Sequence, residues 1–187
     1  MSVDANYQRA DGEYPFELKN GQLITEEKRI NTDIESIQGE ANLFHTFQDE
    51  SELNVKTYYF HSQRGLPGAV ILYNKESDER LWDDNFFAQA RYKKVFNPQW
   101  TLQAQGKYNY SWNKYEDTGA EYVGGKQTDT NRQKEYYLSA SVLYQPVKGW
   151  SLSLSQDGFI NKLHTNGTNS PEPTRYSSLT ALTIRYQ

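Results

Sequence analysis

The sequence predicts an all-β chain: an antiparallel up-and-down sheet of about seven strands, built like a segment of a transmembrane β-barrel. Three observations predict it. Apolar and polar residues alternate with period two in one segment after another. Short and long connections between those segments alternate along the chain. Aromatic residues collect at the segment ends, on the apolar side. Helical periodicity is nearly absent.

The strands follow in order. Ile37 to Phe47 carries Ala41, Leu43 and Phe47 on one face. Leu53, Val55, Thr57 and Tyr59 then alternate with Glu52, Asn54, Lys56 and Tyr58. Phe86, Ala88, Ala90 and Tyr92 alternate with Phe87, Gln89, Arg91 and Lys93. The clearest run is Trp100 to Tyr110, where Trp, Leu, Ala, Gly, Tyr and Tyr oppose Thr, Gln, Gln, Lys and Asn. Tyr136, Leu138, Ala140, Val142 and Tyr144 oppose Tyr137, Ser139, Ser141 and Leu143. Trp150, Leu152 and Leu154 oppose three serines, and Leu182, Ile184 and Tyr186 oppose Ala181, Thr183 and Arg185. Successive strand side chains point to opposite faces, so each run has one apolar and one polar face.

Gln48–Glu52, Asn97–Gln99 and Gln145–Gly149 read as tight turns, two of them marked by Pro or Gly. Longer connections are expected over about Ser62–Arg80, Ser111–Lys134 and Asp157–Thr174. In a meander, alternate connections lie at opposite ends, so all short turns fall at one end. Residues 1–30 do not alternate convincingly, and Asp11 to Asn31 reads as a further long-loop piece. Phe96, Trp100, Tyr144, Trp150 and Tyr186 fall beside the short turns or at the end of the chain. Tyr108, Tyr110 and Tyr136 fall at the other strand ends. Small aliphatics fill the middle. Two aromatic girdles around an apolar band are the layout a membrane barrel requires, because amphipathic rings settle at headgroup level. The polar face would then line a lumen, and Gln89, Arg91, Lys93, Gln103, Gln105 and Lys107 would be its lining. The same alternation also suits a soluble antiparallel sheet with one buried face.

Composition supports this reading. Tyr, Phe and Trp make up 14% of the chain, too many for disorder, although mean hydropathy is only −0.92. A barrel strand meets lipid with half its residues, which reconciles the two. No apolar run is long enough for a transmembrane helix. The absence of cysteine excludes disulfides and thiolate metal sites, and the net charge of −4 argues against a nucleic-acid binder. The first residues carry neither a basic region nor an apolar core of a secretory leader.

Several segments are distinctive: Arg64-Gly-Leu-Pro-Gly68 after Thr57-Tyr-Tyr-Phe-His-Ser62, Glu79-Arg-Leu-Trp-Asp-Asp-Asn-Phe-Phe-Ala88, and Tyr108-Asn-Tyr-Ser111 followed by Tyr115-Glu-Asp117. Together, from about Ile30 to Gln187, they resemble the barrel domain of TonB-dependent outer-membrane receptors of the Bacteroidetes type, with cobalamin and siderophore receptors nearest. The resemblance implies a 22-stranded barrel closed by a plug. It implies a protein of the Gram-negative outer membrane that binds a scarce ligand at external loops. The ligand would be imported with energy from a TonB-type transducer acting through the plug. The chain shows no plug and no transducer motif, and its end is not the usual terminal aromatic strand. It is therefore expected to be a middle piece of the barrel, 1–187 in a single partial domain. Its partners are outer-membrane lipid and a small molecule such as cobalamin, a siderophore or haem.

No nucleophile elbow, phosphate loop or zinc signature is present, so no enzyme activity is expected. His45, His61 and His164 have no metal-ligand spacing. The pairs Asp83-Asp84 and Glu116-Asp117 leave loop calcium as a weak candidate, and solvated charge is the favoured reading. Gly65, Pro67 and Gly68 are expected to set a turn. The candidate ligand contacts in the long loops are Arg64, Tyr73, Trp82, Trp112, Tyr115 and Tyr122, because exposed aromatics suit large, partly apolar ligands. Two other functions fit the same pattern: a small complete outer-membrane barrel with an adhesive or structural role, and a soluble β-sandwich binding carbohydrate.

Overall fold

A computed structural model describes residues 1–68, 77–118, 123–166 and 172–186. The described residues form ten β-strands and no helix: β1 (Ser2–Ala10), β2 (Tyr14–Asn20), β3 (Leu23–Arg29), β4 (Ile34–Thr46), β5 (Glu52–Leu66), β6 (Glu79–Asn97), β7 (Trp100–Asp117), β8 (Gln127–Tyr144), β9 (Trp150–Thr165) and β10 (Thr174–Tyr186). Eight make one antiparallel sheet in the order β1-β4-β5-β6-β7-β8-β9-β10. From β4 onward it is an up-and-down meander, as the alternation predicts. Strands β1 and β10 form its two edges and do not pair with each other.

The strand count differs from expectation. All seven expected strands are present as β4 to β10, and residues 1–30, expected to be loop, supply three more. Strand β1 does alternate, with Val3, Ala5 and Tyr7 against Ser2, Asp4, Asn6 and Gln8. The run is short and holds only two large apolar residues, and its partner β4 lies beyond an inserted hairpin. That hairpin is β2–β3, closed at Asn20-Gly21, where Gly21 (φ 61) takes the left-handed first turn position. Neither of its strands packs against another strand, and Arg29 ties it to the Gly68 carbonyl just beyond β5.

The long connections are also shorter than expected. Strands β5 to β9 run for 15, 19, 18, 18 and 16 residues, well past the apolar band. Ladder hydrogen bonds join backbone groups, so polar stretches such as Ser111–Asp117 extend the strands. The described short turns carry their own locks. Asp49 Oδ1 accepts from the Ser51 amide (3.1 Å) and hydroxyl (2.6 Å). Asn97 Oδ1 accepts from the amides of Gln99 (2.9 Å) and Trp100 (3.0 Å). Gly149 takes φ 90 before Trp150.

The described residues include no buried hydrophobic side chain. In β8 and β9 the exposure pattern is inverted relative to a soluble sheet. In β8 Tyr136, Leu138 and Ala140 are exposed, while Glu135, Tyr137, Ser139 and Ser141 are half-buried. In β9 Leu154 is exposed and Ser153 and Ser155 are half-buried. In these two strands the polar face is the sheltered one, whereas in β6 and β7 most residues of both faces are half-buried.

Candidate functional site

Cross-strand register assembles the apolar face. Residues directly opposite on neighbouring strands share a face. One such row is Val55, Ala90, Gly106, Leu138 and Gly158, and another is Leu102, Val142, Leu154 and Leu182. Along β7 and β9 the band runs for roughly eleven residues, the length a tilted strand uses to cross hydrocarbon. Gln156 interrupts it beside Ala140, and its amide is satisfied by donating to Ser178 Oγ (2.9 Å) and accepting from Thr180.

Aromatics mark both margins. Beside the short turns, Trp100 stacks on Tyr144 (4.2 Å, 25°) and Trp150 meets Tyr186 at 5.1 Å. At the other margin Phe86, Tyr108 and Tyr136 form a chain with centroids 6.4 and 5.1 Å apart. Tyr176 follows on β10.

The polar face gathers the six expected lining residues Gln89, Arg91, Lys93, Gln103, Gln105 and Lys107 on one side of β6 and β7. It also carries an aromatic stripe that the sequence reading missed. Tyr58 stacks on Phe87 at 5.3 Å, Lys107 Nζ lies 4.9 Å over Phe87, and Tyr137 packs on Phe159 at 4.7 Å. The Tyr137 hydroxyl donates to Asp157 (3.3 Å). A signal was available: the doublets Tyr58-Tyr59, Phe86-Phe87 and Tyr136-Tyr137 put one ring on each face.

At the long-connection end the expected ligand residues do not converge. Arg64 and Tyr115 lie on the polar face, with Arg64 paired to Asp83 (3.3 Å). Trp82 and Trp112 lie on the apolar side, with Lys114 Nζ 4.4 Å over the Trp82 ring. Adjacent strand residues point to opposite faces, which separates the two sets. Tyr73 and Tyr122 lie outside the described residues. The carboxylate pairs split the same way. Asp83 faces Arg64, while Asp84 accepts from Tyr59 (3.1 Å) and meets His61 Nδ1 at 2.7 Å. Glu116 meets Lys114 (2.6 Å) and Lys126 (2.7 Å), and those ammonium groups hold its carboxyl below the usual range. The described residues contain no group of three carboxylate or imidazole side chains poised for a metal.

This end is instead a structural junction. Arg80 donates to both oxygens of Asp33 (3.1 and 2.7 Å), which lowers the Asp33 pKa and raises that of Arg80. Asn31, at φ 55, donates through Nδ2 to the carbonyls of Leu66 (3.0 Å) and Glu79 (2.8 Å). Gly65 lies within β5 rather than in a turn, and its missing side chain makes room for Asn31.

No family model matches the chain, and no curated protein matches it.

Proposed function

We propose that this chain is part of the barrel of a TonB-dependent outer-membrane receptor, which binds a scarce ligand at its external loops and imports it. The ligand class is cobalamin, a siderophore or haem. The observation that carries the membrane half of this reading is the inverted exposure of β8 and β9, together with the apolar side chains left exposed on the same face of β4 and β10, such as Leu43, Leu182 and Ile184. At 4.8 Å between strands and 3.3 Å per residue, the uncovered apolar band spans roughly 1,200 Å². A soluble monomer rarely exposes more than a few hundred. A carbohydrate-binding sandwich would need a second sheet over this face, and no described residue lies there. Hydrocarbon accepts the face without cost, with the two aromatic rows at the headgroups.

The receptor half rests on the resemblance of Arg64-Gly-Leu-Pro-Gly68 and its companion segments, together with the two unpaired edges. An open edge does not persist in lipid, because its backbone groups find no partner there. Further strands beyond β1 and β10 meet that need. The even count of eight sheet strands favours a second reading, since eight is the smallest number known in closed membrane barrels. Closure of β1 onto β10 would make a small complete barrel.

The absence of cysteine makes the test direct. Single cysteines at Leu138, Ala140, Ser139 and Ser141 are placed in the intact protein in outer-membrane preparations. A lipid-dissolved reagent should modify the first two and spare the last two. Equal labelling of all four by a water-soluble maleimide, or a monodisperse protein without detergent, would sink the membrane reading. Ligand uptake that persists after collapse of the proton-motive force would remove the receptor role.

A further inference from the structure

We propose that Arg132, Lys134, Lys162 and His164 form a binding site for the phosphate headgroup of a membrane lipid, on the outward flank of β8 and β9. The inference rests on the membrane reading above and adds a ligand to the apolar face that it describes.

Register brings the four together. Lys134 lies directly opposite Lys162, and Arg132 directly opposite His164, one step further toward the long connections. All four share the apolar face with Tyr136 and Ile160, which are the next pair inward. Two ammonium groups directly opposite on adjacent strands repel. Nothing in their row compensates: Tyr110 flanks Lys134 on β7, and Thr174 flanks Lys162 on β10.

Several other cations among the described residues are matched, while those without a partner, such as Lys93, Lys148 and Arg185, do not lie directly opposite another cation. Lys56 meets Glu40 at 2.8 Å, Lys94 meets Asp49 at 2.6 Å, and Lys114 and Lys126 share Glu116. The side chains of Arg132, Lys134 and Lys162 are exposed and have no hydrogen bond or ion pair among the described residues. His164 Nδ1 meets Glu172 at 2.8 Å, the carboxylate that lines the cluster among the described residues. Together with Tyr136 these residues line a recess of about 250 Å³.

The chemistry selects a compact, multiply charged anion. A phosphate monoester carries about −1.5 to −2 charges and three strong acceptor oxygens, which suits one guanidinium fork and two ammonium groups. The position selects a lipid. Tyr136 belongs to the aromatic row at headgroup level, so the cations lie where lipid phosphates lie. Below them the face continues through Leu138 and Ala140 on β8 and Gly158 on β9, an apolar track for acyl chains.

The test uses the purified intact protein in maltoside micelles, titrated with a fluorescent phosphatidic acid. Lys134→Gln with Lys162→Gln should weaken binding about thirtyfold, and Arg132→Gln alone about fivefold. Lys148→Gln with Arg185→Gln, near the short-turn end, should leave it unchanged. Phosphatidic acid should raise the melting temperature of the parent protein and not that of the lysine double variant. Parent-like affinity in the double variant, equal binding of phosphatidylcholine, or displacement by inorganic phosphate as readily as by the lipid would each overturn the proposal. A detergent-requiring protein without charge-dependent binding defeats this inference alone. A protein monodisperse without detergent defeats the membrane reading as well.

Discussion

Replacing Gly65 with alanine probes how the long-connection end is held. Gly65 pairs with Arg80 across β5 and β6, and its amide donates to the Asp33 carbonyl at 2.9 Å. An added Cβ would lie 2.6 Å from the Asn31 carbonyl carbon, and closer still to the Asn31 carbonyl oxygen and Oδ1. Part of that contact is backbone already held at φ 55, so a side-chain rotation does not relieve it. Asn31 must leave, and its two hydrogen bonds to Leu66 and Glu79 go with it. At about 1 kcal/mol each, plus residual strain, the cost is roughly 2–3 kcal/mol. The loss is local, because the β2–β3 hairpin packs against no other strand and is tied to this junction by Arg29, which donates to the Gly68 carbonyl. Trypsin cleavage at Lys28 or Arg29 reads it out. If opening and reclosing are fast relative to cleavage, 2 kcal/mol corresponds to about thirtyfold faster cutting. Gly39→Ala and Gly106→Ala are the controls, since their nearest atoms would be 4.0 and 3.9 Å away. Wild-type cleavage of Gly65→Ala would refute the steric argument.

Three further outcomes follow from the same geometry. Leu138→Lys should destabilise the membrane-inserted protein by about 2–4 kcal/mol while Ser139→Lys costs little, measured by urea unfolding from vesicles; equal costs would contradict the facial assignment. Asp33→Asn should cost about 1 kcal/mol, because the fork to Arg80 is half-exposed. The Asp33 pKa is depressed in the fold, so the pair's contribution is complete above about pH 4 and is lost as pH falls below the usual carboxylate range. A pH titration of hairpin protease resistance should show that loss in the parent and none in Asp33→Asn. Asn97→Ala removes the acceptor for the Gln99 and Trp100 amides and should cost roughly 1 kcal/mol, seen as faster unfolding.

The legible part of this fold was what period two carries. Trp100 to Tyr110 announces its faces without reference to any other strand, and the turn chemistry of Asn97-Pro98 and Gly149 bounds its neighbours. Strand β1 was harder, since its alternation is brief and its ladder to β4 depends on residues beyond a hairpin. The candidate ligand residues fared differently. Arg64, Trp82, Trp112 and Tyr115 group by nearness to loops in the sequence, yet the ladder extends through all four positions. Once a residue lies in a strand, parity decides its face, so Arg64 and Trp82 part company.

Strand type, the two chemically distinct faces and the rows of aromatics at strand ends are written locally in the chain, because a β-strand's side-chain period is local. Which segments pair, that β1 joins β4, that β1 and β10 stay apart and that Lys134 faces Lys162 become visible in the folded sheet. Each of those depends on register between distant segments. A shift of one residue in register would send every side chain to the opposite face.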